Sequence, residues 1–423
     1  MRVFYGWWIV LAAFLNLFFS VGIVYYGFPV FYPSLVDSLG FTRAQLTQGF
    51  LLGFVVAGLL FGLLAGILID SLGSHQVIRI GIWSVGLPLI LMGSMTRLWQ
   101  YYALCIVEVV GYVLTGPIPN QVLVSNWFRL QRGRAMGIAY LGLGAGGALS
   151  PLLINSLIRS FGWRHAFEIM GALILIVLFP VSQWITRSGP RDLDLLPDGI
   201  ARADVLSEPS SERESMNDVS VARAVRSTNF WLIVTGCTLT IGAIGAVTQH
   251  LILFLTGEGY SLSGASRVSS GMLASSLAGR VSVGYFADRY SRKNVMALFY
   301  LVLALAIPLL FAAPRPGAVW GFALLYGFAM GADYMLIPLV AADCFGLSSL
   351  GKLLSLIITA YSVGQWFAPW LAGRLFDAQH RYHLAWLIMS SAAAVGAALI
   401  YAVAPDRRAV TYPSVRDGWR KKE

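Results

Sequence analysis

Long apolar runs alternate with short polar clusters along the whole chain. Each run has about twenty residues or more, which is the length at which an α-helix crosses the hydrocarbon core of a bilayer. The pattern therefore predicts an all-α membrane protein with twelve transmembrane helices, numbered span one to span twelve along the chain. The predicted spans are residues 5–31, 44–69, 77–95, 99–123, 135–159, 165–186, 230–256, 262–286, 295–313, 317–342, 353–376 and 383–404.

The distribution of charge gives the predicted helices an orientation. Only 12% of the 423 residues are charged, against about 25% in soluble domains. If the spans alternate, 21 of the 30 lysines and arginines lie on the side that holds both termini. The positive-inside rule makes that side cytoplasmic. We expect a protein that is integral to the lipid bilayer of the cell (inner) membrane, has both termini in the cytoplasm and does not bind nucleic acid.

The sequence contains no pattern typical of an enzyme, a metal site or a bound cofactor. Cys105, Cys237 and Cys344 have no metal-like spacing. Gly142–Gly147 satisfies the dinucleotide pattern G-x-G-x-x-G, but these glycines lie inside a continuous membrane run. Small residues at this spacing let membrane helices pack closely. We therefore predict helix packing at Gly142–Gly147, no cofactor, no metal and no enzymatic activity.

The two groups of six spans repeat each other. The segment G-x-x-x-D-R-x-x-R-K, which begins at Gly284, matches Gly66–Gly73 at an offset of 218, and Pro369 matches Pro151 at the same offset. Such a repeat predicts two pseudo-symmetric six-helix bundles with a cavity between them. The predicted parts are an N-terminal bundle (1–186), a cytoplasmic linker (187–229), a C-terminal bundle (230–404) and a cytoplasmic tail (405–423).

Residues 284–293 resemble the loop signature of the major facilitator superfamily, and residues 66–76 are a degraded copy in which Ser71 replaces a basic residue. An acid and basic residues at such a helix junction can pair across the two bundles and hold one conformation. The gating residues that the resemblance implies are Asp70, Gly73, Asp288, Arg289, Arg292 and Lys293.

Within that superfamily the chain is similar to monocarboxylate transporters and bacterial oxalate/formate antiporters. The similarity lies in Tyr5–Trp7, residues 127–137, Leu195–Gly199 and Arg280 of span eight. It implies transport of a small organic anion by alternating access, with the span-eight arginine as the substrate anchor.

Three charged residues lie deep inside predicted spans: Arg280, Asp333 of span ten and Glu108 of span four. A charge at the bilayer centre costs about 2.5–3.5 kcal/mol on insertion scales, so such residues normally face a cavity and serve a function. The planar fork of arginine binds a carboxylate through two parallel hydrogen bonds. We predict that Arg280 anchors an anionic substrate; a purely structural Arg280–Asp333 pair is the alternative.

The sequence departs from monocarboxylate transporters at the positions that commonly couple a proton. Those transporters commonly have an acid one turn before the arginine, where this chain has Ser276, and a lysine in span one, which has no charge here. The best candidate for the proton-coupling residue is therefore Asp333, and Glu108 is the second. His250 is the third, because histidine titrates near neutrality. A neutral His250 held by hydrogen bonds is the alternative.

Aromatic and amide side chains are predicted to shape the rest of the pocket. Pro117 and Pro119 free backbone carbonyls beside Asn120, so span four should be irregular there. The predicted substrate-binding residues beside Arg280 are Asn120, Tyr112, Tyr334, Tyr25, Tyr26, Tyr361 and His250.

Span eleven has no charge before Arg374 at its end, so the site has one deep cation for one carboxylate. We expect secondary active transport of a small monocarboxylate of the lactate, pyruvate, formate or acetate type, with H⁺ symport. The alternatives are an organic-anion exchanger of the oxalate/formate type, a transporter of another small molecule with the same fold, and a membrane sensor that has lost transport.

Overall fold

A computed structural model describes residues 4–58, 71–128, 131–193, 195–196, 198, 221–346 and 350–404. Within these ranges the regular structure is helical and contains no strand, so the predicted all-α fold is confirmed. Asp70, Gly199 and the tail 405–423 lie outside the described residues, as does most of the linker.

Within the described residues, each predicted span coincides with a helix, a pair of helices or part of one; residues 59–69 of predicted span two lie outside them. Spans five and six follow each other without a loop and are separated by a kink at Gly162, where φ is +78°. Short helices Pro190–Leu193 and Val221–Val225 lie in the linker region. The spans are Gly6–Leu39, Arg43–Gly53 with Phe54–Gly58, Ser74–Met92, Leu98–Thr115 with Pro117–Trp127, Arg132–Pro180 with Val181–Ile185, Thr228–Gly257, Leu262–Arg289, Arg292–Ala306 with Ile307–Ala312, Pro316–Met330 with Asp333–Phe345, Leu350–Gln379 and His383–Ala402.

Several spans are irregular near their middle. Span one changes from α-helix to a π-helix at Phe18–Gly27. Span four breaks at Gly116, as the flanking prolines predict. Span ten breaks between Met330 and Asp333, which the sequence analysis did not predict. Irregular backbone is tolerated at membrane depth only where it is buried in protein or lines a cavity, so these breaks indicate where the functional centre lies.

The two bundles meet along spans five and eight, where Asn155 Nδ2 donates to Ser263 Oγ at 3.2 Å. They also meet at one end of spans two and eleven, where Gly373 packs against Ala44. We call this end, which includes Gly40 and His380, the far end. The opposite end, which includes Ser188, is the linker end.

The glycines of Gly142–Gly147 serve helix packing, as predicted. Gly142 and Gly146 pack against the backbone carbonyls of Phe14 and Phe18 in span one. A Cβ atom on Gly22 would lie only 2.5 Å from the Cα of Gly146. Span one therefore lies directly on span five, and the same helix presents its other glycines to span eight.

Candidate substrate site

Arg280 lies on span eight where that helix faces span five of the other bundle. A Cβ on Gly144 would lie 2.7 Å from Arg280 Nη1, so the absence of a side chain at position 144 provides the space for the guanidinium. Arg280 Nη1 is buried and has no hydrogen-bond partner among the described residues. A buried charged donor without a partner is costly, so an anionic group is the partner that this position favours.

The break in span ten lies directly behind Arg280. A Cβ on Gly331 would lie 2.8 Å from the backbone nitrogen of Arg280, so the two helices touch at this level. Asp333 begins the second segment of span ten two residues later. The backbone thus brings Asp333 to the neighbourhood of Arg280, while the side chains of Asp333 and Tyr334 lie outside the described part of the structure.

Two of the predicted tyrosines contact one tryptophan, and a third packs against one of the two. The ring of Trp366 in span eleven lies edge-to-face with Tyr25 at 5.7 Å and with Tyr112 at 6.3 Å between centroids. Tyr25 is in turn edge-to-face with Tyr26 at 4.9 Å. Phe50 stacks on the other side of Trp366 at 5.7 Å. This aromatic cluster joins spans one, two, four and eleven, and the sequence analysis did not include Trp366 among the site residues.

Span five connects the aromatic cluster to Arg280. A Cβ on Gly147 would lie 3.1 Å from the Tyr26 ring and 3.5 Å from Leu273 of span eight. Gly144, which accommodates Arg280, is three residues earlier on the same helix, and residues three apart lie on one helix face. Tyr26 and Arg280 are therefore neighbours across one turn of span five.

Glu108 is fully buried on span four, and neither carboxyl oxygen has a hydrogen-bond partner among the described residues. It lies one turn before Tyr112 and one turn after Cys105, on the face that packs against span two. An acid in this position inside a membrane typically marks a proton pathway. The sequence analysis predicted this acid, and its isolation from partners is a structural finding.

The side chain of Asn120 forms its hydrogen bonds at the break in span four. Its Nδ2 atom donates to the carbonyls of Thr115 at 2.7 Å and Gly116 at 2.8 Å, the two residues at the break. Its Oδ1 atom accepts from Asn16 Nδ2 at 3.3 Å. Asn120 therefore holds the irregular backbone, and Asn16, which the sequence analysis missed, connects that break to span one.

His250 lies away from Arg280, with both ring nitrogens occupied. Because the Pro369 carbonyl can only accept, His250 Nε2 donates to it at 2.8 Å, and Nδ1 accepts from the Tyr382 hydroxyl at 2.9 Å. This is the hydrogen-bonded arrangement that the sequence analysis held open as the alternative. Tyr361 is buried on span eleven, five residues before Trp366.

The predicted gating residues that the structure describes lie at the linker end. Arg292 forms an ion pair with Asp343 of span ten at 2.6 Å. Lys293 Nζ donates to the carbonyl of Tyr401 at 3.0 Å at the end of span twelve, a favourable place for a cation. Arg289 stacks on the Tyr285 ring at 3.6 Å, and the Asp288 side chain lies outside the described part.

In the degraded copy of the motif, Gly73 has a φ of +82° and begins span three. Its neighbour His75 contacts Ser188 Oγ through Nδ1 at 2.8 Å. The start of the linker is therefore bound to the N-terminal bundle beside this copy, and Asp70 lies outside the described residues.

Two helical bundles that meet beside Arg280 Nη1, a buried cationic donor with no hydrogen-bond partner among the described residues, and that contain irregular membrane helices are typical of a membrane transport protein. The chain belongs to the Major Facilitator Superfamily, whose sequence profile matches residues 9–286 and 266–421. The predicted membership and the twelve-helix fold are thereby confirmed, and the family consists of integral membrane transporters and not of enzymes.

Curated relatives are distant. The MFS transporter asaE of Aspergillus flavus is 26% identical over 318 residues, which cover 73% of this chain and 66% of the relative. Monocarboxylate transporter 12 of Homo sapiens is 25% identical over 342 residues, covering 74% of this chain and 65% of the relative. The chain thus spans about two thirds of the length of these relatives.

Solved structures share the fold across nearly the whole chain. A mutant of the nucleoside transporter NupG has a TM-score of 0.73 at 14% identity, covering 95% of this chain and 100% of that one. A bacterial homologue of the human lysosomal transporter Spinster, in an inward-facing and unoccupied conformation, has a TM-score of 0.67 at 16% identity and covers 94% of each chain.

Proposed function

We propose that the protein transports a small monocarboxylate, of the lactate, pyruvate, formate or acetate type, together with a proton by alternating access. The observation that supports this most is Arg280 Nη1, a buried cationic donor without a described partner at the contact between the two bundles. A carboxylate matches a guanidinium in charge and in geometry. The relationship to a monocarboxylate transporter points to the same class of substrate.

The size of the substrate follows from the surroundings of the guanidinium. Gly144 of span five packs against Arg280, and Gly147, one turn later, packs against Tyr26 of the aromatic cluster, so a short organic chain is favoured over a large one. Span eleven contains Trp366 and the buried amide of Gln365, and its cation Arg374 is two turns further toward the far end. One cation at the centre favours one carboxylate over two.

We propose Asp333 as the proton-coupling group. Its backbone follows the segment of span ten that touches Arg280, and an ionised acid near an arginine is stabilised by the opposite charge. When a substrate carboxylate takes the arginine, Asp333 becomes easier to protonate, so substrate and proton bind cooperatively and reciprocally. Glu108 is the second acid, and separate substitutions distinguish the two.

Purified protein in proteoliposomes tests the proposal with a panel of radiolabelled lactate, formate, oxalate and a nucleoside, each with and without an imposed pH gradient. Accumulation of lactate or formate that requires the gradient supports monocarboxylate–proton symport. Oxalate exchange without a gradient would instead indicate the antiporter alternative. If only the nucleoside is taken up, Arg280 does not serve as an anchor for a carboxylate.

A further inference from the structure

The far end of the molecule is closed by a contact between the first turn of span two and the last turns of span eleven. Asp377 Oδ2 accepts a hydrogen bond from the backbone nitrogen of Ala44 at 3.1 Å. One turn earlier on span eleven, a Cβ on Gly373 would lie 2.7 Å from the Cα of Ala44. The two helices, one from each bundle, therefore touch backbone to backbone.

Span two already has a complete cap of its own. Thr42 Oγ1 accepts from the nitrogen of Gln45 at 3.2 Å, and Gln45 Oε1 accepts from the nitrogen of Thr42 at 2.9 Å. The nitrogen of Ala44 points outside this capping box, and its partner comes from the other bundle. A carboxylate at the N-terminus of a helix is stabilised by the unsatisfied N–H groups and the helix dipole. The contact between Asp377 and Ala44 is thus electrostatic, and it can form only while the two bundles touch at the far end.

Neighbouring contacts follow the same seam between the bundles. The guanidinium of Arg43 lies 3.6 Å from the centroid of the Phe376 ring. The Pro369 carbonyl, which accepts from His250, also accepts from Thr47 Oγ1 of span two at 3.4 Å. His250 therefore supports the seam through Pro369, and this gives it a place in the fold apart from the substrate.

The spacing Gly373-x-x-x-Asp377 is also present in the sequence at Gly66–Asp70 and at Gly284–Asp288, and the second of these segments is at the linker end. At the far end the structure shows what this spacing achieves. The glycine lets two helix backbones touch, and the acid one turn later reaches the first turn of the partner helix.

We propose that Gly373 and Asp377 form a latch that holds the far end closed during the transport cycle. Gly373 makes closure sterically possible, and Asp377 stabilises the closed state through Ala44. When the bundles separate at this end, the hydrogen bond between the Ala44 nitrogen and the Asp377 carboxylate breaks, and each group forms a hydrogen bond with water instead. The latch therefore sets the balance between states that are open and closed at the far end.

A distance measurement tests the latch without any substrate. Spin labels at Ser94→Cys and Arg381→Cys, both exposed at the far end of different bundles, report its opening in lipid nanodiscs. Cys344, which is half-buried, is replaced by serine, and the buried Cys105 and Cys237 remain. The proposal rests on the transporter fold alone, so its failure leaves the proposed substrate untouched.

We expect Gly373→Leu to remove most of the short-distance population, because the new side chain occupies the position of the Ala44 backbone. Asp377→Asn should raise the open-to-closed ratio by about two- to fivefold, the effect of one carboxylate at a helix N-terminus. Two matched controls should leave the distances unchanged. They are Gly321→Leu, where no heavy atom lies within 4 Å, and Asp37→Asn, an exposed acid at the same end.

Unchanged distance distributions in both Gly373→Leu and Asp377→Asn would overturn the latch. So would shifts of equal size in the two controls. If Gly373→Leu does not fold, Asp377→Asn with Asp377→Glu as its charge-preserving partner decides the question. The glutamate should return the ratio toward that of the natural chain, and a glutamate variant as open as the asparagine variant would also overturn the latch.

Discussion

Gly144 of span five and Arg280 of span eight fit together across the two bundles: a Cβ at position 144 would lie 2.7 Å from Arg280 Nη1. The guanidinium thus lies in a space that exists only because residue 144 has no side chain. Leu277, one turn before Arg280, packs against the same glycine. Gly144 therefore positions the proposed substrate anchor without contacting the substrate itself.

We predict that Gly144→Ala weakens substrate affinity by roughly 10- to 100-fold, the equivalent of one lost charge-assisted hydrogen bond. The added methyl displaces the guanidinium, so KM should rise more than the maximal rate falls. Gly137→Ala on the same helix is the control, because no heavy atom lies within 4 Å of a Cβ there. Initial uptake rates over a range of concentrations measure both variants, and equal KM values would refute the positioning role.

Trp366 should limit the size of the substrate. Trp366→Leu removes the ring on which Tyr25 and Tyr112 converge, which leaves space beside the anchor. We expect the ratio of uptake of a longer monocarboxylate to that of lactate to rise by roughly tenfold, since one methylene in an apolar pocket is worth about that much. Trp99→Leu, at a ring 62% exposed on the protein surface, should leave this ratio unchanged in the same competition assay.

Asn120 should contribute to stability through the break in span four. Asn120→Leu leaves the Thr115 and Gly116 carbonyls without their side-chain donor, at a cost of about 1–3 kcal/mol for a buried unsatisfied group. Thermal unfolding should therefore begin several degrees lower than in the natural chain. The exposed Asn126, which donates to the Ser188 carbonyl at the linker end, gives the matched control Asn126→Leu. An Asn120→Leu protein as stable as this control would contradict the assignment.

A proton-coupling assay should distinguish the roles of Asp333 and Glu108. We predict that Asp333→Asn loses accumulation driven by a pH gradient but retains exchange between loaded vesicles, because a neutral amide cannot release the proton. Glu108→Gln should retain gradient-driven accumulation. The reverse result, with coupling lost only in Glu108→Gln, would move the proton site to the buried acid of span four.

Some features of this fold follow from the sequence because a single physical cause determines them. Apolar run length predicts each span, and Pro117 with Pro119 predicts the break at Gly116. The π-helix at Phe18–Gly27 contains no proline. It depends on packing between Gly22 and Gly146 and on the bond from Ser150 Oγ to the Gly22 carbonyl at 2.6 Å, which no local pattern encodes.

The sequence predicts the chemical character of the site better than it predicts which side chains contact one another. An arginine deep in a membrane span is unusual enough to identify Arg280 from sequence. Trp366 is one of 13 tryptophans, and only its contacts with rings from three other spans single it out. Asp343, the partner of Arg292, is likewise visible only once spans nine and ten are packed together.

The proposed function requires Arg280 to bind the carboxylate of the transported anion through its planar fork. The most direct measurement is uptake of labelled lactate and formate by Arg280→Lys in proteoliposomes under a pH gradient, beside Arg267→Lys, an exposed arginine on the same helix. A lysine keeps the charge but cannot form two parallel hydrogen bonds. We predict that Arg280→Lys, folded and inserted like the control, loses uptake by at least about tenfold, whereas near-normal uptake by Arg280→Lys would contradict the account.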